Sequence, residues 1–331
     1  MKYRRLARTD IQVSEIGFGV WTVTAGWWGE FGDDEAATLL RQALDRGVSF
    51  FDTGDTYGNG RGETILARAF AGRRSQVVIG TKFGYDFYNK PEARRGQQER
   101  PQDWSPAFVR FALEQSLLRL QTDYVDLYQL HNPRLEAVQR DDLFELLERF
   151  VEEGKTRAYG AALGPAIGGT VHGDDVMRTR PALSSLQIIY NLLEQEPAAR
   201  FVPTARDLDV SLIVRVPHSS GLLEGNYTAD TVFPANDHRS HRPRSWLIEG
   251  LQKIERLDFL HVGRDQTLGQ AALKWLLAEP TVTSILPNIY NYEQLVEFAA
   301  ASDLPDLTEE DVARVAELYA RNFDSLPAAV S

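Results

Sequence analysis

Residues 105–131 read SPAFVRFALEQSLLRLQTDYVDLYQLH, and this stretch decides the fold. Its first half carries helix signals. Ser105 is a good N-cap and Pro106 suits the first helical position. Val109, Ala112, Leu113, Leu117 and Leu120 then recur at helical spacing and make one apolar face. Beyond them the period changes. Val125–His131 is a run of strand length, in which Leu127, Gln129 and His131 alternate onto one face.

Working outward, the same alternation recurs. Candidate strands are Ile16–Gly19, Val48–Asp52, Val77–Lys82, Val125–His131, Thr156–Ala162, Ser185–Ile189, Val210–Arg215 and Val282–Leu286. Each precedes a helix-like segment: Asp34–Asp45, Glu63–Phe70, Ser105–Leu120, Arg140–Glu153, Asp174–Thr179, Ala198–Asp207, Arg264–Ala278 and Tyr292–Ala300. Thr308 with Asp311 opens a further C-terminal helix in capping-box style. Strand–helix alternation implies parallel strands with right-handed crossovers. Eight such units fit an α/β fold of the (β/α)8 TIM-barrel type. We expect an N-terminal β-hairpin, the extra C-terminal helix, and a single domain over residues 1–331. The rival is a doubly wound sheet, which more often carries a Gly-rich phosphate turn after its first strand. That turn here, GFGVWTVTAG, lacks the G-x-G-x-x-G spacing and opens no evident helix. The long irregular segments 84–104 and 216–242 both follow strands, so both belong on the C-terminal face, where barrel loops carry function.

Composition narrows the function. The net charge of −11 argues against nucleic acid, whose phosphates it would repel. There is no cysteine, which excludes disulfides, thiolate catalysis and cysteine-held metal. No run approaches the ~20 apolar residues of a membrane span, and the first residues show no signal-peptide core. A cytoplasmic protein is expected; the sequence is silent on its oligomeric state.

Three polar residues end apolar strands: Asp52 in VSFFD, Lys82 in VVIGTK and His131 in DLYQLH. Val48 and Phe50 share a face with Asp52, and Val78 and Gly80 share one with Lys82. If these faces point inward, the three groups meet at the C-terminal mouth of the barrel, with Tyr57 on the following loop. Singly, each has a plain structural explanation; together they describe a site. Lys82 as a Schiff-base nucleophile is a rival, weakened by an Asp52 partner that would keep it charged. His238 and His241 are spaced by three, but no third metal ligand is evident.

The stretches FDTGDTYGNGRGE, TKFG and YVDLYQLHNP resemble the motifs of the aldo-keto reductase superfamily, in the same order and on the same strands. The resemblance implies a TIM barrel, a nicotinamide dinucleotide bound without a Rossmann fold, no metal, and a small carbonyl substrate. It makes Asp52, Tyr57, Lys82 and His131 the catalytic tetrad, with Tyr57 as the general acid in reducing an aldehyde or ketone. A non-enzymatic, dinucleotide-sensing barrel subunit is the alternative.

The resemblance also assigns the cofactor's surroundings. The nicotinamide falls near Val20, Trp21 and Asp52, with Gln187 at the position of the family glutamine that binds its carboxamide. Ala162 and Leu163 stand where the family usually has a Ser-Asn pair, and Arg215 where it has a stacking tyrosine. Ser219, Gly221 and Leu222 would lie along the pyrophosphate, and Val216 and Pro217 just before them are further expected cofactor contacts. After the eighth strand, Asn288, Ile289, Tyr290, Gln294 and Phe298 occupy the region that grips a 2′-phosphate in many relatives, and none is cationic. Family habit gives NADP(H); these residues leave NAD(H) open, with Arg239 or Arg242 as remote cations. Trp27, Trp28 and Tyr85 join Trp21 and Phe83 near the mouth, and Trp21 and Phe83 are the expected substrate contacts.

Overall fold

The computed structural model describes residues 1–26, 31–89, 99–164, 169–234 and 237–325. Trp27, Trp28 and most of the basic stretch 94–100 therefore lie outside the described residues. An antiparallel hairpin, β1 (Tyr3–Arg5) and β2 (Gln12–Ser14), precedes eight parallel strands. These are β3 (Phe18–Gly19), β4 (Phe50–Asp52), β5 (Val78–Phe83), β6 (Val125–His131), β7 (Thr156–Ala162), β8 (Ser185–Ile189), β9 (Ser211–Arg215) and β10 (Val282–Leu286). Each pairs with the next in chain order. The ring closes through a parallel bridge between Ile16 and Ile285, with Gly17 N–H donating to the Ile285 carbonyl at 2.8 Å and Ile285 N–H to Glu15 at 2.8 Å.

The helices are α1 (Trp21–Thr24), α2 (Asp33–Asp45), α3 (Arg61–Ala69), α4 (Pro106–Leu120), α5 (Leu135–Val138), α6 (Asp141–Glu152), α7 (Gly169–Thr179), α8 (Glu196–Asp207), α9 (Arg244–Glu255), α10 (Leu268–Leu277), α11 (Tyr292–Ala300) and α12 (Glu309–Ala320). Ser105 caps α4, accepting from Phe108 N–H, and Thr308 with Asp311 forms the capping box of α12. Two expectations change. A single helical turn, α1, does follow the first barrel strand, although it is too short to make a phosphate-binding helix. α9 falls in a stretch to which the sequence reading gave no element. It starts directly after Pro243 and buries only Leu247 and Gly250 fully, so its apolar periodicity is faint.

Alternation along the strands divides the core in two. Inward-facing Phe50, Val78, Leu127, Ala158, Ile213 and Leu286 form one cluster with Leu6, Ile11 and Val13 of the hairpin. The hairpin thus closes the N-terminal end of the barrel. Arg4 holds it there, donating to the carbonyls of Leu277 at 2.8 Å and Val282 at 2.7 Å. Outward-facing residues, Phe51, Ile79, Phe83, Tyr128 and Leu130 among them, pack against the helices. The inward positions nearest the strands' C-terminal ends are left for polar groups.

Candidate active site

Asp52, Lys82, Gln129, Gln187 and Arg215 are those polar groups, each on the inward register of its strand. Lys82 is buried, and its ammonium donates to Asp52 Oδ1 and to the Thr53 carbonyl at 2.6 Å. The other Asp52 oxygen accepts from Gln129 Nε2 and from Gln187 Nε2, both at 2.9 Å. Asp52 is therefore saturated, as a buried carboxylate must be. Gly80 makes this possible: a Cβ there would come within 3.3 Å of Gln129 Nε2. The third ammonium hydrogen is left for Tyr57, whose ring centroid is 4.8 Å from Lys82 Nζ. Burial works against the Lys82 charge, but Asp52 and Tyr57 outweigh it and raise the pKa above the ordinary lysine value. A lysine so held is charged and is a poor amine nucleophile.

His131, at the end of β6, meets the edge of Tyr57 with ring centroids 5.7 Å apart, and that of Tyr85 at 4.9 Å. The Tyr85 hydroxyl donates to Glu99 at 2.5 Å and accepts from Asn132 Nδ2 at 2.8 Å, which fixes its ring beside the imidazole. The structure thus brings Asp52, Tyr57, Lys82 and His131 together. Gln129 was not singled out from sequence, although its shared face with His131 was the available signal.

Behind the site, Glu63 accepts from Thr81 at 2.6 Å and from Arg119 at 2.6 Å. Asp55, in the Gly-rich turn after β4, is fully buried, and burial followed by Glu63 raises its pKa well above the ordinary carboxylate value. Its neutral form is the one that fits such a site.

Phe83 corrects an expectation. It neighbours Lys82 in sequence and so faces the opposite way, stacked on Tyr128 at 4.2 Å in the outer core with no exposed surface. It cannot touch a substrate in the barrel mouth. Phe298 is likewise buried, against His218 at 4.5 Å, and has no face open to a ligand. Ile289 is fully buried. Val20 is also a core side chain; what it offers the mouth is backbone, with its N–H on the Asp52 carbonyl at 2.9 Å. Trp21 remains half-buried at the mouth.

The mouth extends across Arg215 to the segment after β9. Arg215 donates to the Leu163 carbonyl at 2.5 Å, while its buried Nε has no partner. Burial lowers its pKa from the ordinary guanidinium value, against Tyr57, Asp52 and Tyr85. Val216, Ser219, Ser220 and Gly221 all have positive φ. For β-branched Val216, at 55°, this is an outlier of the kind that marks functional turns. Asn191 Nδ2 holds it by donating to the Val216 carbonyl at 3.0 Å. Opposite lies the start of α11, where Asn291 caps Gln294 N–H at 2.8 Å. Gln294 is not free: it donates to Glu224 at 3.1 Å and accepts from Tyr290 N–H at 3.1 Å. Among the described residues no group of three or more His, Asp or Glu side chains could hold a metal, and no helix is long and apolar enough to cross a membrane.

Comparison with known proteins agrees with this geometry. The Aldo/keto reductase family profile matches residues 15–320. Aldo-keto reductase YhdN of Bacillus subtilis is 31% identical over 286 residues, which are 85% of this chain and 82% of that one. The NADH-specific methylglyoxal reductase of Escherichia coli is 28% identical, with 96% and 98% covered. The holo structure of aldo-keto reductase AKR11C1 from Bacillus halodurans superposes with a TM-score of 0.79 at 27% identity, covering 96% of each chain. With the family profile spanning nearly all of the barrel and the strand-end groups gathered at its mouth, the chain belongs to the aldo/keto reductase family.

Proposed function

We propose that this oxidoreductase interconverts an aldehyde or ketone and its alcohol with a nicotinamide dinucleotide, and that Tyr57 is the proton donor in reduction. The observation that carries this reading is the run Asp52, Lys82, Tyr57, His131 at the barrel mouth, in which a saturated carboxylate holds a charged ammonium beside a phenol. The residues around the mouth suit the dinucleotide. Both amide hydrogens of Gln187 are directed at Asp52 and Gln129, so its carbonyl is the group left for a carboxamide N–H. Arg215 Nε is a donor in want of an acceptor.

A bound nicotinamide supplies the hydride. The chain supplies the rest. The Lys82 ammonium beside the Tyr57 ring stabilises the negative charge that develops on the phenol oxygen as the proton leaves. Asp52 fixes Lys82 in the position where it does this. His131, seated between Tyr57 and Tyr85, orients the carbonyl oxygen beside the phenol. No step requires Lys82 as a nucleophile.

The test is Tyr57→Phe. It should lower turnover of a panel of aldehydes by about 10²–10⁴-fold while dinucleotide binding, followed by fluorescence, persists. Near-normal turnover sinks the assignment. The regulatory-subunit reading draws on the altered cofactor positions Ala162, Leu163 and Arg215; tight dinucleotide binding without turnover of any carbonyl would favour it. As to the dinucleotide, the absence of cations from the first turn of α11 and the NADH specificity of the Escherichia coli relative both support NADH as a cofactor.

A further inference from the structure

The turn that carries Tyr57 is seated by groups outside the barrel mouth. Gly58, Asn59 and Gly60, directly after Tyr57, all have positive φ, so the chain reverses sharply into α3. The start of α3 is the wall against which Tyr57 rests. Gly62 N–H donates to the Tyr57 carbonyl at 3.1 Å, and a Cβ on Gly62 would stand 3.4 Å from Tyr57 Cβ. Whatever fixes the first turn of α3 therefore fixes the backbone that presents the phenol.

Glu63 fixes that turn. Its side chain has no exposed surface. Oε1 accepts from Thr81 Oγ1 at 2.6 Å, on β5 beside Lys82, and Oε2 accepts from Arg119 Nε at 2.6 Å. Arg119 belongs to the last turn of α4 and reaches further. Its Nη2 donates to the Tyr88 hydroxyl at 2.9 Å, in the segment after β5, and to Ser116 at 3.3 Å. Its stem fills the space that a side chain at residue 60 would need: a Cβ on Gly60 would come within 2.5 Å of Arg119 Cδ. One guanidinium thus ties the Tyr57 turn, the first turn of α3 and the segment after β5 to α4. Its charge also offsets the cost of burying the Glu63 carboxylate.

We propose that Arg119 is a positioning residue for proton transfer: acting through Glu63 and Gly60, it holds the Tyr57 turn so that the phenol stays beside Lys82 and His131. The proposal rests on Tyr57 being the proton donor. Its effect is geometric. A misplacement of about 1 Å at the reacting atoms costs about 10²-fold in rate. Loosening the brace therefore lowers turnover while the cleft for carbonyl and dinucleotide keeps its shape. An ion pair that served stability alone would not separate turnover from binding, nor depend on the phenol.

The experiment is steady-state kinetics on a panel of aldehydes with the intact protein, Arg119→Met, Tyr57→Phe and the double variant, with dinucleotide binding followed by fluorescence. Arg119→Met should lower kcat by about 10–100-fold and leave the carbonyl KM and dinucleotide affinity within about twofold. In the Tyr57→Phe background the same substitution should change the residual kcat by less than about twofold, because the group it positions is gone. Arg119→Lys keeps a charge for Glu63 but loses the fork that also reaches Tyr88, and should lower kcat by about fivefold. An unchanged kcat in Arg119→Met, a KM or dinucleotide affinity that worsens as much as kcat falls, or a fully additive loss in the double variant overturns the proposal. If Arg119→Met does not fold, Arg119→Lys decides on the same criteria. If Tyr57→Phe keeps near-normal turnover, the proton-donor reading fails and this proposal with it; if only Arg119→Met keeps it, the Arg119 assignment alone fails.

Discussion

At the ends of β4 and β5, Asp52 and Lys82 spend their hydrogen-bonding capacity inside the protein. Around β9 and α11, Arg215, Glu224 and His218 each keep a buried atom without a partner. The first region sits on strands and is braced by neighbouring strands; the second sits mostly on a strained turn and a helix start. The contrast teaches that the strand-end charges are fixed by the barrel itself, whereas the region around β9 and α11 keeps polar capacity unspent.

The sharpest way to break this contrast is Lys82→Met. It leaves Asp52 buried without its cation, which should cost about 3 kcal/mol of stability, the lower end for a broken buried pair because Gln129 and Gln187 still donate. Urea denaturation would measure it, and carbonyl turnover should collapse as well. A stability change within about 0.5 kcal/mol would show that the pair is not the fixed element described. Phe83→Leu separates outer core from mouth. It should lower stability by about 1–2 kcal/mol and leave the carbonyl KM unchanged; a raised KM would return Phe83 to the substrate site. The smallest effect is expected at the open end. Arg215→Leu removes a cation from the mouth and should improve binding of the oxidised relative to the reduced dinucleotide by about fivefold, equivalent to about 1 kcal/mol. An unchanged ratio would place the guanidinium's influence elsewhere.

Much of the barrel was legible because burial on a parallel strand and periodicity on a helix are local signals. β6, β7, β8 and β10 begin and end where the apolar runs do. The strand-end groups Asp52, Lys82 and His131 were legible for the same reason, since a polar residue at the end of an apolar strand stands out; Tyr57 joined them through the family resemblance. Phe83 was misread by attending to its neighbourhood in sequence rather than to the alternation that already placed Lys82 inward. Phe298 was misread by carrying over a family position whose side chain here fills the core. The burial of Asp55 was illegible, since a carboxylate in a Gly-rich turn looks exposed until distant helices are packed over it. α9 was missed because too few of its residues are buried to impose a period.

The closure of the barrel between Ile16 and Ile285 has a kinetic consequence. The same seam joins Ser284 to the Ser14 carbonyl across a separation of 270 residues. During synthesis, at roughly 5–20 residues per second, the edge of β3 waits about fifteen seconds to about a minute for its last partner. Closing the barrel therefore needs a contact of nearly maximal sequence separation, the slowest kind to form. Until then the growing sheet presents an unpaired edge to whatever strand is nearby.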